Sequence, residues 1–205
     1  MYSTISPVVR TYGVFMMFDQ VGKYVSDRLQ EVFPDCYREI KTVALLRLVY
    51  GCTPKLLKRC FEDSYLVDLY PDIGTSDRTV RKLVSMLGAE REAEMQKFMR
   101  LFVSGKATVL IDGTSIFTRN SDSCPRKGYN PEHSQDRQAR LLYIFDSGSH
   151  APIFYRLLPG NIADKSAMAG TVELSGVRDC TIIGDKGFYS KKNVSFLMKK
   201  HLHFI

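Results

Sequence analysis

The sequence predicts an α/β protein in which an all-helical N-terminal region, residues 1–105, precedes a region of strands and helices, residues 106–205. Two observations indicate this division. Apolar residues recur at helical spacing from about Tyr37 to Val103, whereas from Lys106 onward they form short runs that end at turn residues. In the second region helical segments also alternate with these runs, which is typical of a sheet covered by helices.

Three helices can be predicted in the second half of the N-terminal region, over 54–66, over 77–87 and then to about Val103. Their boundaries depend on residues that favour helix starts or stops, namely Thr53 with Pro54, Ser76 and Gly88. The first two helices could form a helix-turn-helix that binds DNA. Their connecting segment is long for that motif, so a plain helical bundle remains equally open.

Five apolar runs in the second region predict strands, over 108–111, 141–145, 153–158, 180–184 and 202–205. The second and third runs are joined by the turn 146–149, so they should form an antiparallel hairpin. The fourth run is apolar throughout, which indicates burial on both faces. Two helices, over 165–174 and 191–200, should begin after the N-caps Asp164 and Ser190.

Composition excludes several classes of protein. Charged residues make up 25% and apolar residues 44% of the chain, as in folded domains, and no apolar run reaches the roughly 18 residues of a membrane span. The five cysteines include no Cys-x-x-Cys pair, which excludes a disulfide framework and indicates a reducing cytoplasm. The net charge is +7, of which +5 lies in residues 106–205, so a polyanionic partner is favoured.

Asp112 and Asp185 each follow a short apolar strand. A carboxylate at the end of a buried strand needs a hydrogen bond, a cation or a metal ion. If the two strands are neighbours, the carboxylates face each other across roughly 5 Å, and Mg²⁺ is the usual ion held by such a pair. The alternative is that both are ordinary turn residues, because Asp-Gly is a common turn dipeptide.

Ordered segments of the second region resemble the catalytic blocks of bacterial DDE-type insertion-sequence transposases of the insertion-sequence-four group. The segments are LIDGTSIF at 110–117, KGYN at 127–130 followed by LLYIF at 141–145, FYRLLPGNIAD at 154–164 and IGDKGFYS at 183–190. The resemblance covers about residues 106–205, and it extends less distinctively to the helical residues 37–103.

This resemblance implies an RNase H-like mixed sheet, incomplete at its C-terminus, whose first and fourth strands lie side by side. It implies two-metal strand cleavage and strand transfer with Mg²⁺ or Mn²⁺, in which Asp112 matches the first acid and Asp185 the second. The implied partners are double-stranded DNA of transposon ends and target, within a possible homodimer in a DNA synapse in the bacterial cytoplasm. The family's third acid is a glutamate in a later block that is absent here, and Glu173 lacks its surroundings. The site is therefore expected to be incomplete.

Basic residues near the expected site could contact DNA phosphates, or they could form a solvated surface. The candidates are Arg119, Arg126, Lys127, Arg137, Arg140, Lys186, Lys191, Lys192, Lys199 and Lys200. Two further acids near the strands, Asp146 and Asp164, are interpreted as a turn residue and a helix cap. The sequence thus favours a transposase fragment that binds DNA weakly and does not cut it. A non-catalytic DNA-binding remnant of a decayed element and a metal-dependent nuclease that does not transpose remain alternatives.

Overall fold

The computed structural model describes residues 9–104, 108–118, 125–128 and 136–205. Among the positions used in the sequence-based predictions, Lys106, Arg119, Tyr129, Asn130 and one of the five cysteines, Cys124, lie outside these ranges. The chain divides into two compact units, Met1–Phe98 and Met99–Ile205. No helix in the described part of the chain is long and apolar enough to cross a membrane.

The described residues of the first unit form helices around a small apolar core. The helices are α1 (Gly13–Val21), α2 (Lys23–Val32), α3 (Tyr37–Tyr50), α4 (Leu57–Glu62), α5 (Leu66–Leu69), α6 (Asp77–Ala89) and α7 (Glu92–Arg100), the last of which ends in the second unit. Phe15, Leu46, Leu57, Phe61 and Val80 are buried together. Ser76 caps α6 as predicted, because its side chain accepts a hydrogen bond from the Thr79 N–H at 3.2 Å.

Two predicted helix boundaries in this unit are wrong. The helix expected over 54–66 is interrupted after α4, because the Tyr65 N–H donates to the Thr11 carbonyl at 3.0 Å and not to the preceding helical turn. Thr11 and Ser64 form an isolated parallel bridge at this point. Gly88 does not end α6, which continues through Ala89. The left-handed glycine that ends a helix here is Gly51, with φ of +60°, directly after α3.

The second unit contains a mixed sheet. Its strands are β1 (Thr108–Phe117), β2 (Arg126–Lys127), β3 (Arg137–Asp146), β4 (Ala151–Pro159), β5 (Thr181–Gly184) and β6 (His203–Phe204). The order is β4-β3-β1-β5-β6, with β2 paired to the first residues of β3. Neighbours among β1, β3 and β4 are antiparallel, whereas β5 runs parallel to β1 and β6 parallel to β5. This order and these directions are those of an RNase H-like sheet, so the predicted fold class is confirmed.

Two helices complete the second unit, α8 (Asp164–Ser175) and α9 (Lys191–Lys199). Met168 of α8 and Leu197 of α9 are buried with Ile111, Ile144 and Ile182 of the sheet. Ser190 caps α9 as predicted, since its side chain accepts a hydrogen bond from the Asn193 N–H at 3.0 Å. The sheet is therefore covered by helices that belong to the same unit.

The structure changes three predictions for the second unit. β1 does not end at Asp112 but continues to Phe117, because β3 pairs with it along nearly its whole length. Asp164 does not cap α8, since Ala163 occupies the N-cap position and Asp164 lies in the first turn. β5 is also less buried than expected: only Ile182 is fully buried within it, and its other residues are half-buried.

One close approach near β2 requires a glycine. A Cβ on Gly128, which follows β2, would lie 2.1 Å from the backbone carbonyl oxygen of Gly160, at the end of β4. Backbone atoms cannot move aside as the end of a flexible side chain can. Gly128 therefore allows the segment after β2 to lie directly against the turn after β4.

Candidate active site

The register of β1 and β5 brings Asp112 and Asp185 to the same place. The two strands are parallel, and the last pair in their register is Ile111 with Gly184. Each aspartate is the next residue, so the two lie side by side at about one strand spacing, roughly 4.8 Å. Both are exposed. The expectation that the two strands are neighbours is confirmed, and Asp112 lies where the parallel pairing stops and not where its own strand ends.

Each of these carboxylates is fixed by a backbone N–H close to it in the chain. Asp112 Oδ1 accepts a hydrogen bond from the Gly113 N–H at 2.7 Å. Asp185 Oδ1 accepts one from the Gly187 N–H at 2.8 Å and so caps a single 3₁₀ turn, Lys186–Phe188. Among the described residues, neither Oδ2 atom accepts a hydrogen bond. Two exposed carboxylates that each keep a free oxygen are a donor set suited to a hard divalent cation such as Mg²⁺.

The backbone beside the aspartates is closely packed. A Cβ on Gly113 would lie 2.7 Å from Leu142 Cδ2 and 3.2 Å from Asp164 Oδ1. A Cβ on Gly184 would lie 3.0 Å from Ile111 Cγ2. The glycines next to the two acids therefore let β1 lie close to β3, to β5 and to the start of α8.

Asp164 and Arg140 form an ion pair at the same part of the sheet. Arg140 Nε lies 3.0 Å from Asp164 Oδ1, with the two side chains 12% and 23% exposed. Arg140 Nη1 also donates a hydrogen bond to Ser115 Oγ of β1 at 3.1 Å. Burial raises the pKa of the Asp164 carboxyl above its usual value, Arg140 opposes that rise, and the nearby charges of Asp185 and Asp112 add to it.

This pair was not predicted from the sequence. Asp164 was interpreted as a helix cap and Arg140 as a contact to DNA, whereas each is the other's partner. The signal that could have connected Asp164 to the site is its place in the segment 154–164, which resembles a catalytic block. Nothing local to Arg140 indicates its partner, because the two residues come together only through tertiary packing.

Asp146 is a fully buried structural carboxylate. Its Oδ2 accepts the Ser104 N–H at 2.5 Å, and its Oδ1 accepts the Ser104 hydroxyl at 2.7 Å. The N–H groups of Gly148 and Ser149 donate to the same Oδ1 at 2.7 and 3.3 Å. Burial raises the pKa of this carboxyl, but the hydrogen bonds outweigh burial and hold the pKa below its usual value. Asp146 thus closes the β3–β4 turn, in agreement with its interpretation as a turn residue.

The predicted basic residues fall into two groups. Seven of the described ones are exposed, namely Arg126, Lys127, Lys186, Lys191, Lys192, Lys199 and Lys200. Arg137 is half-buried, and its guanidinium donates to the Pro125 carbonyl at 3.0 and 3.2 Å. Arg140 is mostly buried in its ion pair. The side chains of Arg137 and Arg140 therefore make contacts within the protein and do not belong to its exposed basic surface. Glu173 is exposed, as expected, and pairs with Lys200 at 2.9 Å.

The segment after Asp185 is held by a buried amide. Asn193 Nδ2 of α9 donates to the Lys165 carbonyl at 2.8 Å and to the Phe188 carbonyl at 2.7 Å. It thereby joins α8, α9 and the 3₁₀ turn that begins at Asp185. A mainly apolar pocket of about 320 Å³ lies beside this turn, lined among others by Ile182, Phe188 and Leu197.

The solved structures to which the chain is similar include those of two transposases. The chain is similar to the piggyBac transposase in a synaptic complex with hairpin DNA, at 13% identity and a TM-score of 0.45, over 91% of this chain and 41% of that one. It is similar to the Mos1 transposase in a paired-end complex with the left transposon end, at 15% identity and a TM-score of 0.35, over 80% of this chain and 57% of that one. The chain thus spans less than two thirds of either protein.

Comparison by sequence gives a family for the second unit. No curated protein matches the chain. The family model described as Transposase DDE domain matches residues 104–205, which include all six strands, both helices that cover them and the two adjoining aspartates. The sequence match to a transposase DDE domain thus covers the described sheet together with Asp112 and Asp185.

Proposed function

We propose that this chain acts in DNA transposition, as a bacterial member of the insertion-sequence-four group of DDE transposases, with Asp112 and Asp185 as its catalytic acids. One observation carries the proposal: the two carboxylates stand side by side where the β1–β5 pairing ends, within residues that match a transposase DDE domain. The four described cysteines are free thiols, which agrees with a cytoplasmic protein.

In this proposal Asp112 and Asp185 hold Mg²⁺ or Mn²⁺. When bound, such ions activate the attacking water or 3′-hydroxyl and stabilise the leaving oxygen of a phosphodiester. The chain's own contribution is to fix the ligands. The N–H groups of Gly113 and Gly187 each donate a hydrogen bond to one carboxylate oxygen, Oδ1 of Asp112 and of Asp185. These bonds fix the orientation of each carboxylate and leave its Oδ2 atom available to a metal ion.

The proposed substrate is double-stranded DNA, at the transposon ends and at the target. Five exposed basic residues of the second unit, Arg126, Lys127, Lys186, Lys191 and Lys192, would contact phosphates and position the DNA without reading its sequence. Three of them lie within seven residues of Asp185 along the chain. We include in the proposal a homodimer that assembles two transposon ends in a synapse.

Residues 1–205 alone should bind DNA without cleaving it. Within the described ranges, no group of three histidine, cysteine, aspartate or glutamate side chains has the geometry to hold a metal ion. Two-metal phosphoryl transfer needs ions about 3.5–4 Å apart, each with fixed ligands. Two carboxylates can hold one ion but do not fix a second.

The experiment combines the purified chain with DNA that carries the ends of the element, in Mg²⁺ or Mn²⁺. Fluorescence anisotropy measures binding over a salt series, and denaturing electrophoresis measures strand cleavage, with Asp112→Ala as the control. We expect binding that weakens linearly on a log–log plot against salt and no cleavage above the control. The absence of DNA binding at low salt would refute the proposed DNA partner. Cleavage that Asp112→Ala removes would support the catalytic acids but refute the proposed inactivity of residues 1–205.

A further inference from the structure

We propose that Arg140 and Asp164 are positioning residues for the candidate metal site, and that the net charge of their ion pair sets how tightly Asp112 and Asp185 hold a divalent cation. This inference rests on the proposed function, because it takes Asp112 and Asp185 as the metal ligands. Arg140 and Asp164 act through these two acids and are not themselves proposed to contact the ion.

The geometry of the pair places it directly against the strand that carries Asp112. A Cβ on Gly113 would be 3.2 Å from Asp164 Oδ1, so the carboxylate of Asp164 lies against the residue that follows the first acid. Arg140 is the register partner of Ser115 and donates to its hydroxyl at 3.1 Å. The pair therefore joins three elements around the acids: the start of α8, β3 and β1.

The pair is also half-buried, so water screens its charges less than those of an exposed pair. The Asp164 and Arg140 side chains are only 23% and 12% exposed. Both Asp112 and Asp185 raise the pKa of Asp164, which means that all three carboxylates share one electrostatic environment. Arg140 compensates the charge of Asp164, which would otherwise add a third negative charge beside those of Asp112 and Asp185.

The two charges can be removed one at a time, and the two substitutions should change the cation affinity in opposite directions. As an ion pair Arg140 and Asp164 contribute no net charge. Asp164→Asn leaves an uncompensated positive charge near the acids and should weaken cation binding. Arg140→Gln leaves the Asp164 carboxylate uncompensated. The bound cation then serves as its counter-charge, so cation binding should become stronger. The double variant is neutral again, so its cation affinity should return to that of the wild type.

The experiment is a titration of the whole 205-residue chain with Mn²⁺, in which electron paramagnetic resonance measures the free ion. This readout requires neither DNA nor catalysis. A unit charge close to an exposed divalent site should change the affinity about fivefold. We expect Asp164→Asn to bind Mn²⁺ about fivefold more weakly, Arg140→Gln about fivefold more tightly and the double variant within twofold of wild type.

Two controls separate charge from folding. Arg140→Lys keeps the charge but loses the two-pronged geometry of the guanidinium, so its affinity should stay within twofold of wild type. Asp179→Asn removes an exposed carboxylate two residues before the start of β5, at the other end of that strand from Asp185, and should leave the Mn²⁺ affinity unchanged. Circular dichroism shows whether each variant is folded. If Asp164→Asn does not fold, the comparison of Arg140→Gln with Arg140→Lys still decides the sign.

The outcomes distinguish this inference from the function on which it rests. A purely structural pair would make both single variants bind Mn²⁺ more weakly and the double variant at least as weakly, which would overturn the inference. Binding that Asp112→Ala abolishes but that no substitution at Arg140 or Asp164 changes would overturn the inference alone. Mn²⁺ binding that is absent from the wild type, or unaffected by Asp112→Ala, would overturn the proposed metal ligands as well.

Discussion

Replacing Asp146 by asparagine should destabilise the second unit strongly, although the two side chains have nearly the same shape. The carboxylate is fully buried and accepts hydrogen bonds from three N–H groups and one hydroxyl. An asparagine oxygen can still accept from Gly148 and Ser149, but its NH₂ group then faces the Ser104 N–H, so two donors meet. One charge-assisted hydrogen bond is lost and one buried N–H is left without an acceptor, which together cost about 3 kcal/mol.

The free energy of unfolding is measured by urea denaturation followed by circular dichroism, and hydrogen exchange assigns the loss to the second unit. For a unit of this size, a loss of about 3 kcal/mol lowers the melting temperature by roughly 10–20 °C. Asp179→Asn is the matched control, because it removes the same charge from an exposed position in the same unit. The free energy of unfolding of this control variant should lie within about 0.5 kcal/mol of the wild-type value.

The stabilisation of the folded protein by the Asp146 carboxylate should also depend on pH, and it should decrease in acid. Its pKa in the folded protein lies below the usual value, so the stabilisation is fully present above the unfolded pKa of about 3.9. As the pH falls through the lower folded pKa, the carboxylate becomes protonated and the stabilisation disappears. The difference between wild type and Asp146→Asn should therefore shrink in acid. A variant as stable as Asp179→Asn, or a difference that is constant from pH 7 to pH 3, would refute this reasoning.

Three further substitutions or reactions test the packing. Gly128→Ala should lower the melting temperature, because its Cβ meets a backbone carbonyl at 2.1 Å, whereas Gly88→Ala, with open space inside a helix, should raise it slightly in the same assay. Asn193→Ala should cost about 2 kcal/mol in urea denaturation for two lost hydrogen bonds. Asn193→Asp should cost at least as much, since a carboxylate cannot donate to carbonyls. Burial raises the pKa of the Cys52 thiol to about 11, so a disulfide reagent at pH 8 should label the half-buried Cys60 first, as peptide mass spectrometry would show; equal labelling rates would contradict this.

Features that depend on neighbouring residues could be predicted from the sequence. Ser76 and Ser190 cap their helices as expected, because an N-cap needs only a side-chain oxygen and a backbone N–H three residues later. The β3–β4 hairpin also follows from a short turn between two apolar runs. The adjacency of the strands before Asp112 and Asp185 was predicted through a family resemblance and not from local pattern.

Features that depend on distant residues were missed. The helix over 54–66 is broken by a hydrogen bond to Thr11, which no property of that segment reveals. Asp112-Gly113 has the composition of a turn, yet the strand continues through it because β3 supplies pairing partners on one side. Asp164 is a reasonable helix cap in isolation, and only the tertiary fold places Arg140 within 3.0 Å of it.

The two strands that pair with β1, namely β3 and β5, lie at different distances from it along the chain, and this difference affects how the second unit folds. β3 and β4 join through a tight turn, and residues 118–136 separate β3 from β1, but β5 pairs with β1 only after α8 has been crossed. Loop-closure entropy grows with the length of chain enclosed, so the antiparallel strands can associate early and the parallel pairing is the entropically costlier step. An intermediate with only β1, β3 and β4 paired contains Asp112 without Asp185. The two carboxylates therefore come together only when the long-range half of the sheet closes.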